Sequence, residues 1–310
     1  MLLKKHYINT PLFPSPSLKS KYGLNVIYKM ECYQPSGSFK IRGMDHFLKE
    51  IYSQGYKKVI ASSGGNAGYS LAYVGNKMGI EVQIIVPEST SEYMINKIKL
   101  LGAEVLIYGK DFDEANAYAI QLSKESDLPF VSPFDHPLLW QGHSTLIDEC
   151  AAEMKEPDRI IVAVGGGGLL CGIFEGLVRN NWLNTKVVTA ETEGAASFAK
   201  SKLENKLITL SEINTIATSL GAKKITPKAL EYASSFNVET YVTNDSVAFT
   251  ACKDFFDEYH VLVEPACGAA LSYLKAKHNE IYSNENILVI VCGGVNMGME
   301  KYLEYAEKFK

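Results

Sequence analysis

Lys40 sits in Pro35-Ser36-Gly37-Ser38-Phe39-Lys40-Ile41-Arg42-Gly43, between a strand-like apolar run and a helix-like one. A lysine amine can hold a carbonyl compound as an imine and can also act as a base. Lysines are mostly solvated, so position alone argues for a surface residue. Three glycine-rich turns argue the other way. Each follows an apolar run, at 62–68, 165–168 and 293–294.

In Val164-Gly165-Gly166-Gly167-Gly168-Leu169 a strand-like run meets four glycines and then a helix-like run. Consecutive glycines let backbone N–H groups converge on one point, and the helix start adds positive potential, which suits a phosphate. The run matches neither G-x-x-x-x-G-K-[ST] nor a G-x-G-x-x-G with its downstream acidic residue. As a mere turn, four adjacent glycines would cost chain entropy that a turn does not require. In Ala61-Ser62-Ser63-Gly64-Gly65-Asn66-Ala67-Gly68, hydroxyls and amides open a helix and could grip a carboxylate. Ser63 or Asn66 could equally cap that helix, and the two roles are compatible. Cys292, read alone, is a small core residue; its place at the end of a strand-like run, beside Gly293 and Gly294, adds a functional reading. An amine, a phosphate nest and a partner for a ring nitrogen are together what pyridoxal phosphate needs.

The elements that must carry these residues alternate along the chain. Strands are expected over 25–30, 58–62, 81–87, 104–108, 159–164, 186–190 and 287–292. Helices are expected over 39–53, 66–78, 92–101, 113–123, from 169, and over 245–259, 267–278 and 297–309. Such alternation predicts an α/β protein with parallel sheets covered on both faces. At 310 residues the chain is long enough for about two domains, and without a Pro/Ser-rich linker one is expected to be inserted in the other.

A net charge of −4 gives no reason to expect nucleic acid or an anionic membrane surface, and no basic stripe carries interleaved aromatics. The longest apolar runs, 160–164 and 287–292, are far too short to span a membrane. The start, Met1-Leu2-Leu3-Lys4-Lys5-His6, lacks the apolar stretch of a secretory signal. Six scattered cysteines show no C-x-x-C pair. Reduced thiols in a cytoplasmic protein is the simplest reading.

These motifs, with Pro133-Phe134-Asp135, Trp140-Gln141-Gly142-His143 and Val263-Glu264-Pro265-Ala266-Cys267-Gly268-Ala269-Ala270, span nearly the whole chain. The chain resembles the fold type II pyridoxal-phosphate enzymes, specifically the L-serine dehydratase and L-threonine deaminase family. The resemblance implies the tryptophan synthase β-like fold, with two open twisted mostly parallel sheets flanked by helices. It implies a large cofactor-binding domain of 1–43 and 134–310 and a small inserted domain of 44–133.

The resemblance also implies roles. Lys40 would hold the cofactor and serve as the general base for β-elimination of water, with Phe39 packed on the ring. Asn66 would bond the ring hydroxyl oxygen. Gly165, Gly166, Gly167, Gly168 and Leu169 would cradle the phosphate. Cys292, with Gly293 beside it, would meet the pyridine nitrogen, and Ser219 would lie over the other ring face. Ser63, Gly64, Asn66 and Ala67 would hold the substrate carboxylate. A potassium-like monovalent cation would bind backbone oxygens near Gly165, Ala195, Leu220 and Ala222. The partners implied are a small amino acid and a second copy in a homodimer. Gly64, Ser219 and Val295 depart from the family's usual residues and leave substrate preference open. Serine racemase, threonine synthase and β-replacement activities stay open within the fold, as does a silent cofactor- or amino-acid-binding protein. His143 and Trp140 read as packing residues, and Glu264, before Pro265, as a turn residue that could reach a site.

Overall fold

The described residues, 4–310 of a computed structural model, carry ten strands in two sheets. They are β1 (Leu12–Pro14), β2 (Asn25–Lys29), β3 (Lys58–Ser62), β4 (Glu81–Val86), β5 (Glu104–Ile107), β6 (Phe130–Val131), β7 (Arg159–Ala163), β8 (Lys186–Thr192), β9 (Val238–Thr243) and β10 (Asn286–Ile290). Parallel strands covered on both faces read as unbroken apolar runs. Accordingly β7 is buried at every position, and β10 at every position after Asn286.

The larger sheet runs β1-β2-β10-β7-β8-β9. All its pairings are parallel except β1 with β2. Proline at the end of β1 suits an edge, where no ladder donor is needed. Val289 of β10 pairs with Ile161 of β7, so these two central strands end side by side. The smaller sheet, β5-β4-β3-β6, is parallel throughout. Open parallel sheets bind ligands outside the carboxyl ends of their strands; all three glycine-rich turns leave from such ends.

Several helices follow the sequence pattern closely. Asn66–Met78 ends at Gly79, whose φ of +66° closes the helix in the left-handed region that glycine adopts without strain. Asp245–Tyr259 begins at Asn244, whose side chain accepts from the Val247 N–H.

The chain divides into two units. One joins the described residues up to Ile8 with Gln34–His143; the other joins Asn9–Tyr33 with Ser144–Lys310. This differs from the expected boundary at 43/44, which would cut the continuous helix Lys40–Ser53. That helix buries Ile41, Met44, Phe47, Leu48 and Ile51 and packs on Asn66–Met78. Lys40 and Phe39 therefore go with the smaller sheet. In the other unit Lys29, fully buried at the end of β2, meets Glu149 at 2.6 Å and donates to Thr10 O at 2.7 Å, so neither buried charge lacks a partner. Among the described residues no helix is long and apolar enough to cross a membrane.

Candidate active site

In the unit of the smaller sheet, Lys40 is the first residue of its helix. Its Nζ donates to the carbonyl of Pro133 at 2.5 Å and lies 5.2 Å from the centre of the Phe39 ring. Pro133 follows β6, the neighbour of β3 in the sheet. The loop 62–68 leaves the end of β3. There Ser63 Oγ accepts from the Gly65 N–H at 3.3 Å, and Asn66 begins its helix with little exposure. Gly65, the cap residue, has no side chain to occupy the helix start, and the first N–H groups of a helix are an anion site. A Cβ on Gly68 would fall 1.9 Å from Ser63 O, so glycine lets the helix approach the loop. A Cβ on Gly64 would fall 2.4 Å from Thr90 Cγ2 and 2.7 Å from its hydroxyl. Thr90 follows β4, the other neighbour of β3.

Behind Phe39 stands His143, edge-on at 4.9 Å and fully buried. Neither of its ring nitrogens has a hydrogen-bond partner. Burial, with Lys40 and Arg42 nearby, pushes its pKa well below the usual histidine value, so it packs as a neutral ring. A Cβ on Gly43 would lie 2.5 Å from His143 Cε1, so the ring occupies the notch that this glycine leaves.

In the other unit, the four glycines join β7 to the helix Gly168–Arg179. Gly167 has φ +91°, and a Cβ there would lie 2.9 Å from that of Ala229. The helix has no side-chain cap and no acidic residue in its first turn. A phosphate therefore fits: the N–H groups are presented by glycine backbone, the positive helix end is uncapped, and its first turn holds no carboxylate. A Cβ on Gly165 would lie 3.0 Å from Ser219 O and 3.2 Å from Leu220 Cα. The loop thus rests on the turn Thr218–Leu220. Leu220 O accepts from the Ala222 N–H at 2.7 Å. Ala195 is buried in the turn Glu193–Ala195 after β8, the strand beside β7. Among the described residues no group of three or more His, Cys, Asp or Glu side chains could hold a metal; the expected cation ligands are backbone oxygens.

Cys292 follows β10 and is 6% exposed, with its Sγ 3.2 Å from that of Cys267. Because β10 lies beside β7, Cys292 and the glycine loop leave neighbouring strand ends. Ser219 Oγ donates to the Glu264 carboxylate and accepts from Asn296 Nδ2 at 3.0 Å. The Asn296 N–H donates to Glu264 Oε1 at 2.7 Å. A Cβ on Gly294 would fall 1.9 Å from Glu264 Cδ. Glu264 thus ties Ser219 to the segment after Cys292, a bridging role the sequence did not disclose. The residue does not cap its own helix, Pro265–Ala276. Glu191 is another buried carboxylate that the motifs missed; it accepts from the N–H groups of Phe198 and Ala199 at 2.8 and 2.7 Å.

The family profile described as pyridoxal-phosphate dependent enzyme matches residues 3–293. A human protein named serine dehydratase-like is 41% identical over 300 residues, which cover 94% of this chain and 91% of that one. An L-serine dehydratase of Dictyostelium discoideum is 40% identical over 308 residues, covering 93% of this chain and 88% of its own. Among solved structures, an L-serine ammonia-lyase from the fungus Rhizomucor miehei matches with a TM-score of 0.93 at 32% identity, over 99% of this chain and 100% of that one.

Proposed function

Because this chain belongs to the pyridoxal-phosphate dependent enzymes, and within them to the serine dehydratase family, we propose that it converts L-serine to pyruvate and ammonia. L-threonine would give 2-oxobutanoate by the same β-elimination of water. The observation that carries this reading is the pairing of β7 with β10, which sets an uncapped glycine loop and a thiol at adjacent strand ends.

In this reading Lys40 holds pyridoxal phosphate through its amine, Phe39 packs on the ring and Asn66 bonds the ring oxygen. The N–H groups of Gly165, Gly166, Gly167, Gly168 and Leu169 hold the phosphate. Cys292 faces the pyridine nitrogen beside Gly293, and Ser219 lies at the ring. The chemistry supplied by the bound cofactor is an electron sink for the substrate's Cα. Lys40 takes the Cα proton as general base. The Pro133 carbonyl fixes the direction in which its amine points. Ser63, Gly64, Asn66 and Ala67 orient the substrate by its carboxylate at the helix start, which aligns the Cα–H bond with the base. Facing the pyridine nitrogen, a thiol brings no carboxylate charge, which favours prompt elimination over transamination.

The proposal extends to a potassium-like cation on the oxygens of Gly165, Ala195, Leu220 and Ala222, to a homodimer and to a cytoplasmic location. The six free cysteines support a reducing compartment. The decisive experiment adds L-serine to the purified protein while its visible absorbance and the release of pyruvate and ammonia are followed. Release of both supports the reading. D-serine, a β-substituted product, or cofactor absorbance without ammonia would overturn it. Replacing potassium by a bulky organic cation tests the cation, and sedimentation tests the dimer.

A further inference from the structure

Cys267 lies in the first turn of the helix Pro265–Ala276, and Cys292 follows β10. Their sulfurs are 3.2 Å apart. The chain holds Cys267 in place from a second side: its Sγ accepts from the Gly293 N–H at 3.2 Å and donates to Gly293 O at 3.4 Å. A disulfide needs its sulfurs at about 2.05 Å, so closure asks for an approach of roughly 1 Å, within reach of small side-chain rotations. Cys267 is fully buried, whereas Cys292 is 6% exposed and is therefore the sulfur that a small reagent meets first.

We propose that Cys267 and Cys292 form an oxidisable dithiol, a modification site that a hydroperoxide closes to a disulfide, switching the enzyme off. The switch rests on the reading that Cys292 faces the pyridine nitrogen; the dithiol itself does not.

The chemistry balances. The Cys292 sulfur attacks the O–O bond of hydrogen peroxide, takes up one oxygen as a sulfenic acid, and water leaves. The Cys267 sulfur then attacks the Cys292 sulfur. The S–S bond forms, the S–O bond breaks, and a second water carries off the oxygen and the thiol proton. Two thiols lose two electrons and two protons, and the peroxide accepts them. Burial, and then the neighbouring Cys292 sulfur, push the Cys267 thiol well up, so Cys267 is not the sulfur that meets the peroxide; its contact with Cys292 is what brings it to the second step. A disulfide sulfur has no hydrogen to donate. The pyridine nitrogen would lose its partner, and turnover should fall about tenfold, the rate equivalent of one neutral hydrogen bond.

The test treats the cofactor-loaded protein with hydrogen peroxide, blocks remaining thiols with N-ethylmaleimide, and maps the digest by mass spectrometry without reductant. The expected result is a peptide pair joined through Cys267 and Cys292, two hydrogens lighter than its parts. Pyruvate formation should fall with it and return on adding dithiothreitol. In Cys267→Ser the joined pair and the recoverable loss should both vanish. Cys267 and Cys292 both carrying N-ethylmaleimide after peroxide would overturn the proposal. So would Cys292 joined to Cys32 instead, or a mapped crosslink with undiminished turnover. A crosslinked protein that never shows cofactor absorbance would sink the reading of the site while upholding the dithiol, so the two failures are told apart.

Discussion

The Lys40 amine donates to the carbonyl of Pro133 at 2.5 Å, which ties the first residue of one helix to the chain just after β6. The pairing of β6 with β3 puts that anchor at the same end of the sheet as the loop 62–68. On the proposed reading, Lys40→Ala removes both the covalent anchor and the base. Turnover of L-serine should fall by roughly a thousandfold or more, and the visible absorbance of the bound cofactor should disappear. The helix should persist, since alanine is a good helix former and the apolar face is untouched. Far-UV circular dichroism checks that. Turnover within tenfold of the parent would show that Lys40 is not the base.

Gly64 and Thr90 meet across the ends of β3 and β4. In Gly64→Ala the new methyl would sit 2.4 Å from Thr90 Cγ2, closer than carbon atoms pack, so the loop or the threonine must move. The expected outcome is a loss of about 1–3 kcal/mol of stability with a raised KM for serine, because on the proposed reading the loop orients the carboxylate. Thr90→Ala removes both the methyl and the hydroxyl that the new Cβ would meet and should restore most of the loss in the double variant. Denaturant unfolding of the four proteins gives the coupling; additive effects would mean that the two side chains do not meet.

Parts of this architecture were legible because local and tertiary demands agree. The runs 58–62 and 66–78 return as β3 and its helix, since the apolar centre Val59-Ile60-Ala61, a polar glycine turn and a closing Gly79 all point one way. Two members of the glycine quartet were legible because the φ of Gly167 and the close approach of Gly165 to Ser219 both call for a residue without a Cβ. By contrast β6 has two residues and exists through its pairing with β3. β9 is half-buried or exposed at every position before Thr243 and lacks a clean period. The helix Pro137–Glu153 was not foreseen from its motif Trp140-Gln141-Gly142-His143. The Ser219–Glu264–Asn296 cluster joins three distant stretches of chain through side-chain hydrogen bonds. No spacing rule encodes such a contact. The expected boundary at 43/44 came from the family resemblance; the compact units part at 33/34 and 143/144 instead, because the helix Lys40–Ser53 packs as one piece on Asn66–Met78.

Gly167 offers a direct test of the phosphate cradle. Its φ of +91° is strained for any residue with a Cβ, and that atom would press on Ala229. Gly167→Ala should cost about 1–3 kcal/mol and should weaken pyridoxal phosphate binding by tenfold or more. Reconstitution of cofactor-free protein, followed by absorbance, measures the affinity, and thermal unfolding without cofactor measures the strain. Unchanged affinity with lowered stability would make the glycine structural and move the phosphate elsewhere.

Glu191 predicts how stability varies with pH. Burial pushes its carboxyl up from 4.5 to about 8, against the pull of the two N–H groups that it accepts from. The folded pKa is thus above the unfolded one, and between the two values the native state holds a proton that the unfolded chain has released. Stability from this group is complete below 4.5 and declines as pH rises toward about 8. The decline is on the order of a few kcal/mol. Glutamine cannot ionise, so Glu191→Gln should remove this slope. It should also cost about 1 kcal/mol throughout, because its amide offers one acceptor oxygen to two N–H donors. The check is the difference in unfolding free energy between parent and variant across that pH range, in which the other titrating groups cancel. A difference that stays constant would mean that Glu191 is ionised in the folded protein, with its charge carried by the Phe198 and Ala199 amides.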